Sequence, residues 1–385
     1  MEFENYEAEE YVPVREKPPK SPLRFIPYAV IAVLVIVLMM LLPKVLPMLS
    51  PSLTYYVYPK EAEFIFEREI MISGGDYTVY IELPIPTDIA NGSLQKIVSV
   101  VHEESMNLVY REVNKAGYTW MNWSGGGHIS WVKIRYHVIA KTVWWNIAEH
   151  SVGTVEDIPE GLKSAYCHDE WLITPSNPEI SALAHQLADD EYSVYDKIKA
   201  IYDYVTENIV YEAGRSGEPK SAIDVLHDKS GDCDEQGMLL CSLMRAVGIP
   251  SWLEIGALYS GDDKVGGHAW VGVYIPTSTG GGWVNIDVAN HQFMLRDCYR
   301  FSEWVDVGND DLLKDYYNAV RVKFFGQKPQ ISETWKLISI TESGEKVRVP
   351  AGSGKQGLPI GDFIAPVAIT VAVFLYTIRR RLTTE

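Results

Sequence analysis

Residues Ser230–Gly248 read SGDCDEQGMLLCSLMRAVG, and the interpretation of the whole chain turns on them. Asp232 followed three positions later by Glu235 is the pattern of a capping box, in which two side chains satisfy the first free backbone N–H groups of a helix. Gly248, with Pro250 two residues beyond, stops such a helix. A helix from about Asp232 to Gly248 puts Cys233 in its first turn. Unpaired N–H groups and the positive end of the helix dipole favour a thiolate there. Asp232, Asp234 and Glu235 crowd the same sulfur with negative charge and oppose its ionisation. A lone cysteine is most often a small buried hydrophobe, and Cys241, mid-helix among Leu and Met, fits that description.

What distinguishes Cys233 is its company downstream. The pattern predicts strands over Trp252–Leu258, His268–Ile275 and Trp283–Val288, the last two joined by the turn PTSTGGG. Side chains alternate along a strand, so His268, Trp270 and Tyr274 share a face, as do Trp283, Asn285 and Asp287. In one register of an antiparallel hairpin Asp287 reaches His268, whereas a slip of one residue turns it away. With matched faces, Cys233 is a nucleophile, His268 its base and Asp287 the group orienting the imidazole. Upstream, Val194, Ile198, Ile201, Val205 and Ile209 recur at helical spacing. Helices followed by strands imply an α+β domain.

The ordered set GDCDEQGMLLCSLMRAVGIPSW, GGHAWVGVYIP and GGGWVNIDVA resembles the transglutaminase-like superfamily of papain-fold cysteine enzymes. YDKIKAIYDYVTENIVYE followed by SAIDVLHDKSGDC strengthens the resemblance, which covers about residues 180–300. It implies a papain-like transglutaminase-type catalytic domain, with Cys233 as nucleophile, His268 as general base and acid, and Asp287 as orienting residue. Implied too is acyl transfer through a thioester, ending on an amine in a cross-linking enzyme or on water in a deamidase or peptidase. For an oxyanion, the backbone N–H of Cys233 is the only donor the sequence suggests.

Before this domain, period-two alternation runs from Tyr55 to about Ala165. Tyr77, Val79, Ile81 and Leu83 lie on one face, and Val132, Ile134, Tyr136 and Val138 repeat the pattern. With Gly74-Gly75 and Gly125–Gly127 supplying turns, this predicts an antiparallel β-sandwich, of the kind often found ahead of such catalytic domains. Trp120, Trp123, Trp144 and Trp145 read as core. A further hairpin is expected within 331–350, turning at Glu342–Glu345.

Two apolar runs flank these domains. Phe25–Leu42 carries no charge over eighteen residues, and Phe363–Ile378 precedes Arg379, Arg380 and Arg381. Both read as transmembrane helices, with Arg15, Lys17, Lys20 and Arg24 placing the N-terminus, like the C-terminus, in the cytoplasm. The expected organisation is thus a disordered tail (1–24), a span (25–49), a β-sandwich (50–170), the catalytic domain (171–350), a linker (351–357), a second span (358–378) and a tail (379–385). The protein would be a two-span membrane protein with its catalytic region outside the cytoplasm, partnered by membrane lipid and a protein or peptide substrate.

The chain has 385 residues and a formal net charge of -17, a surface that repels phosphate, so nucleic acid is not an expected partner. Neither a dinucleotide fingerprint nor a phosphate loop is present, and no cofactor is expected. A metal held by Cys233, His268 and Asp287 is disfavoured by the lack of C-x-x-C or H-x-x-x-H spacing. His227, His291 and the run Cys167–Glu170 are weaker metal or base candidates. Cys167 and Cys298 are free or paired with one another. The remaining alternative is a binding module that keeps the fold without catalysis.

Overall fold

The computed structural model describes residues 55–213 and 218–350. A short strand β1 (Tyr55–Tyr58) leads into β2 (Glu61–Pro84), β3 (Gln95–Glu104), β4 (Leu108–Lys115) and β5 (Tyr118–Lys141). β2 and β5 are each 24 residues long, against about 5–6 for an ordinary strand, and pair antiparallel over nearly their whole length. Their inward residues alternate as the sequence predicts: Phe64, Phe66, Ile70 and Ile72 on β2 are buried, as are Val132, Ile134, Tyr136 and Val138 on β5.

The connection onward holds β6 (Val143–Trp144) and then helices α1 (Glu160–Tyr166), α2 (Pro178–Ala188) and α3 (Val194–Asn208). Next come β7 (Val210–Tyr211), α4 (Ala222–Asp228), β8 (Ser230–Gly231) and α5 (Cys233–Ala246). Strands β9 (Ser251–Tyr259), β10 (Val265–Ile275) and β11 (Gly282–Ile286) follow, then β12 (Leu295–Arg296), β13 (Arg300–Val305) and α6 (Asp310–Tyr317). The chain ends its described course with β14 (Val320–Phe325), β15 (Gln330–Ser343) and β16 (Val347–Pro350).

A four-stranded antiparallel sheet in the order β11-β10-β9-β13 carries α5 on one face. Gly237 is where the helix comes closest: a Cβ there would lie 2.7 Å from Leu253 Cδ2 and 3.6 Å from Val271 Cγ2. The opposite face of this sheet is polar, with Glu254, His268 and Asn285 all buried. Gln95, at the start of β3, bonds into it, its Oε1 accepting from Ser302 N and its Nε2 donating to Ser302 O, both at 2.8 Å.

Several expectations are corrected. The expected α+β architecture with two membrane spans gives way to a mostly β structure, 48% of it strand, carrying a transglutaminase-like domain. The physical reason is that β14 and β15, far along the chain, return to pair with β2, so the later residues lengthen the early sheet. One bent six-stranded sheet, β14-β2-β5-β3 with β15 also on β2 and β4 also on β5, stands where two sandwiched sheets were expected. Gly74-Gly75 and Gly125–Gly127 are not turns between strands but lie inside β2 and β5, where the register shifts between Ser73 and Tyr77. Gly125 permits a backbone approach no side chain would allow, since a Cβ would stand 2.0 Å from Asn107 O. The turn at Gly344 exists, but its flanking strands do not pair with each other; β15 pairs with β2, and β16 with β1.

The two-span membrane topology is likewise not supported. Among the described residues no helix is long and apolar enough to cross a membrane, and the segments 25–49 and 358–378 lie outside the described residues. The multi-pass localisation that rested on those spans is withdrawn with them.

Candidate active site

Cys233 opens α5, and the cap forms as the sequence dictates. Asp232 Oδ1 accepts from Glu235 N at 3.1 Å, and Glu235 Oε2 accepts from Asp232 N at 3.2 Å. The other Glu235 oxygen takes Lys220 N at 2.8 Å, and Lys220 Nζ bonds Ser230 O at 3.1 Å and Asp228 Oδ2 at 2.9 Å. The turn that presents the thiol is therefore tied on both sides.

The half-buried Cys233 is at the edge of β10, where the backbone N–H of Ala269 points at its sulfur. The hydrogen bond the thiol itself makes goes to Asp234 Oδ1 at 3.5 Å rather than to the imidazole. Burial pushes the Cys233 thiol well above its ordinary value; Asp234, Asp232 and Asp287 add to the shift, and the Ala269 N–H opposes it. Burial and Asp232 likewise push the Asp234 carboxyl up to about 6. Burial and the acidic neighbours thus act together in favour of the protonated thiol.

The hairpin register matches the faces. Tyr274 pairs with Trp283 and Gly272 with Asn285, which carries Asp287 past the end of β11 to stand beside His268. His268 Nε2 is 2.7 Å from Asp287 Oδ2, with both residues buried. That engagement commits Nε2 to the carboxylate. Beneath the imidazole, Trp270 stacks at 5.8 Å between centroids and donates its Nε1 to Glu254 Oε2 at 2.9 Å.

Three residues that sequence reasoning missed converge on Asp287. Arg300 Nη1 donates to Oδ2 at 2.5 Å. Asn290 donates its backbone N–H to Oδ1 at 3.0 Å and its Nδ2 to Oδ2 at 2.8 Å, and lies 2.9 Å from His268 Nε2. Gln292 Oε1 fixes the other arm of the Arg300 guanidinium at 2.6 Å. Burial alone would raise the Asp287 carboxyl, but the charges of His268 and Arg300 and the hydrogen bonds hold it far below the usual carboxylate range. Only the spacing of Asn290, three residues after an Asp at a strand end, carried a local signal, that of an Asx turn.

Two phenols also respond to these charges. Burial and then the Cys233, Asp232 and Asp234 charges push Tyr211, on β7, up to about 12. Tyr317 lies next to Asp234 and is pushed well up by burial and that carboxylate.

The weaker candidates stand elsewhere. His227 is exposed and pairs with Glu179 at 2.9 Å. The His168 ring is bonded to the backbone oxygens of Ala165 and Asp169, and Glu170 is buried against Arg245 at 2.5 Å. His291 is on the loop after Asp287, with φ +52°. Cys167, Cys233, Cys241 and Cys298 are all free, and Cys298 is buried in the β core. Donor atoms of Asp232, Cys233 and Asp234 lie within 4.8 Å of one another. Asp232 is already spent on the helix cap, and His268 Nε2 on Asp287, so neither metal grouping offers a full set of uncommitted donors.

The fold and site define a transglutaminase-like domain: residues 181–288 match the transglutaminase-like superfamily. Among particular proteins, the chain is 30% identical over 142 residues to the uncharacterized protein YebA of Bacillus subtilis (strain 168), covering 31% of this chain and 19% of that one. It is 27% identical over 124 residues to the uncharacterized protein ML0607 of Mycobacterium leprae (strain TN), covering 30% and 42%. The chain thus spans less than half the length of either relative. Its fold is similar to that of a putative cysteine protease from Cytophaga hutchinsonii, with a TM-score of 0.56 and 15% identity over 76% of this chain and 94% of that one.

Proposed function

We propose that the protein is a cysteine enzyme that cleaves or transfers acyl groups of carboxamide or peptide bonds, with Cys233 as nucleophile, His268 as base and acid, and Asp287 as the orienting carboxylate. The observation that carries this reading is the buried 2.7 Å pair of His268 Nε2 and Asp287 Oδ2 on the strand whose next amide, Ala269 N–H, faces the Cys233 sulfur. Burial and the acidic neighbours favour the protonated thiol, and His268 acts as a general base at the moment of attack. Sγ bonds the carbonyl carbon as the thiol proton passes to the imidazole. The C–N bond then breaks, the imidazolium protonates the departing amine, and a thioester remains. Water or an amine releases the acyl group and restores the thiol. Asp287 keeps one tautomer and stabilises the imidazolium without taking the proton itself.

The test is intact-mass spectrometry of the full chain incubated with glutamine-containing peptides, with and without a primary amine. The expected result is an acyl adduct confined to Cys233, resolved by water or amine into distinct products, and absent in Cys233→Ala. Product formation by Cys233→Ala would sink the reading.

A further inference from the structure

The two edges of β10 are not equally used. Toward β9 it is paired from Val265 to Val273, whereas toward β11 it is paired only from Val271 to Ile275. Tyr274 N donates to Pro250 O on the β9 side. In an antiparallel ladder successive residues present their N–H and C=O to opposite edges. Even-numbered residues therefore serve β9, and odd-numbered ones, Ala269 and Gly267 among them, face the other way. Ala269 bears this out, since its N–H points at Cys233. Gly267 offers its N–H and C=O on that same edge, about 7 Å further along at the usual strand rise. Among the described residues no strand pairs with it there.

Gly266 and Gly267 are both exposed. A Cβ on Gly266 would meet nothing within 4 Å, and one on Gly267 nothing nearer than 3.9 Å. Neither is among the residues with positive φ. Packing and backbone conformation thus leave glycine unrequired, although glycine weakens a strand. A strand glycine of that kind suits the close approach of another backbone.

We infer that the free edge of β10 at Gly267 is a main-chain recognition site, so that the substrate is an extended polypeptide laid down as a short added strand with a backbone carbonyl delivered to Cys233. This rests on Cys233 being the nucleophile. Main-chain hydrogen bonds to an open edge supply affinity with little demand on side chains. They favour a peptide-bond carbonyl over the terminal amide of a glutamine side chain.

The experiment follows the rate at which the full chain is alkylated at Cys233 by acetyl-Ala-Ala-Ala-chloromethyl ketone, by the same peptide N-methylated at each internal amide in turn, and by chloroacetone. In every case Sγ bonds the methylene carbon, chloride leaves, and the thiol proton passes to His268. The parent peptide is expected to react at least tenfold faster than chloroacetone, with one N-methyl position cancelling the advantage. Gly267→Pro, which removes the outward N–H, should also erase the preference between parent and methylated peptides. Equal rates for parent and methylated peptides, with chloroacetone still labelling Cys233, overturn the edge site and leave the nucleophile standing. No labelling of Cys233 by any reagent removes both.

Discussion

Arg300 Nη1 lies 2.5 Å from Asp287 Oδ2, the same oxygen that receives His268 Nε2 at 2.7 Å. Both partners are buried, so the Asp287 carboxylate is shared between an imidazole and a permanent cation. Arg300 is itself held by Gln292 and Asp297 and lies over the Trp270 ring at 5.2 Å. Removing one member of a buried pair leaves the other charge uncompensated, which costs about 3–5 kcal/mol. Arg300→Met is therefore expected to lose stability on that scale in urea melts at pH 7. The sign in acid is also set. The depressed Asp287 carboxyl contributes stability above the ordinary carboxylate range and loses it as pH falls. Without Arg300 the carboxyl is less depressed, so that loss should be smaller and complete at a higher pH. An Arg300→Met protein melting like the wild type would show the pair to be without weight.

Among the described residues Asp234 receives the only hydrogen bond the Cys233 thiol makes, and after burial it is the largest contributor to the raised thiol. Asp234→Asn keeps the shape and removes the charge. The midpoint of the pH profile of iodoacetamide alkylation should move down, and the rate at pH 8 should rise roughly three- to tenfold, since one pKa unit is a factor of ten. An unmoved profile would mean that burial alone sets the thiol.

What could be read from the sequence was what short-range chemistry fixes. The Asp232–Glu235 cap, the helix it starts and the three strands that follow each lie within one local pattern, and all form where expected. That His268 and Asp287 pair across the hairpin was one of two readings the strands allowed, and the register joining them was not legible, because either register satisfies the alternation. Arg300 was invisible because it arrives through β13 pairing with the far edge of β9, a non-local choice. The same holds for β15, whose pairing of Ser343 with Glu61 spans most of the described chain. The glycines within β2 and β5 misled because a bend inside a long strand and a turn between two short ones use the same residue.

Arg245, on α5, meets Glu170 at 2.5 Å and Asp306 at 3.1 Å with all three side chains buried. Burial and the neighbouring Glu170 push the Asp306 carboxyl up to about 7. A carboxyl raised by folding binds its proton more tightly in the native state, so its contribution is complete below about pH 4 and is lost as pH rises toward 7. Stability should decline across that interval, as for the raised Asp234, and Asp306→Asn should flatten the decline by supplying a neutral partner to Glu170. Thermal melts from pH 4 to 8 on both proteins check this; identical slopes would clear Asp306 of any part.

Asn290 closes the site from the loop after β11. Its backbone N–H and its Nδ2 each take one oxygen of Asp287, so the carboxylate can neither rotate nor drift from the imidazole. In Asn290→Ala the backbone bond survives and the side-chain bond to a buried charge is lost, a cost of about 1.5–3 kcal/mol for such a bond. A purely structural role would appear in the melt alone. A positioning role should also slow acylation of Cys233 about tenfold under conditions where the variant remains folded, and it should shift the tautomer signature of the His268 ring in nitrogen NMR. Asn290→Asp places a second carboxylate against Asp287 in the same buried space and should be worse than alanine on both counts, because like charges in contact raise one another. Acylation at the wild-type rate in Asn290→Ala, with only the melt lowered, would confine Asn290 to holding the loop.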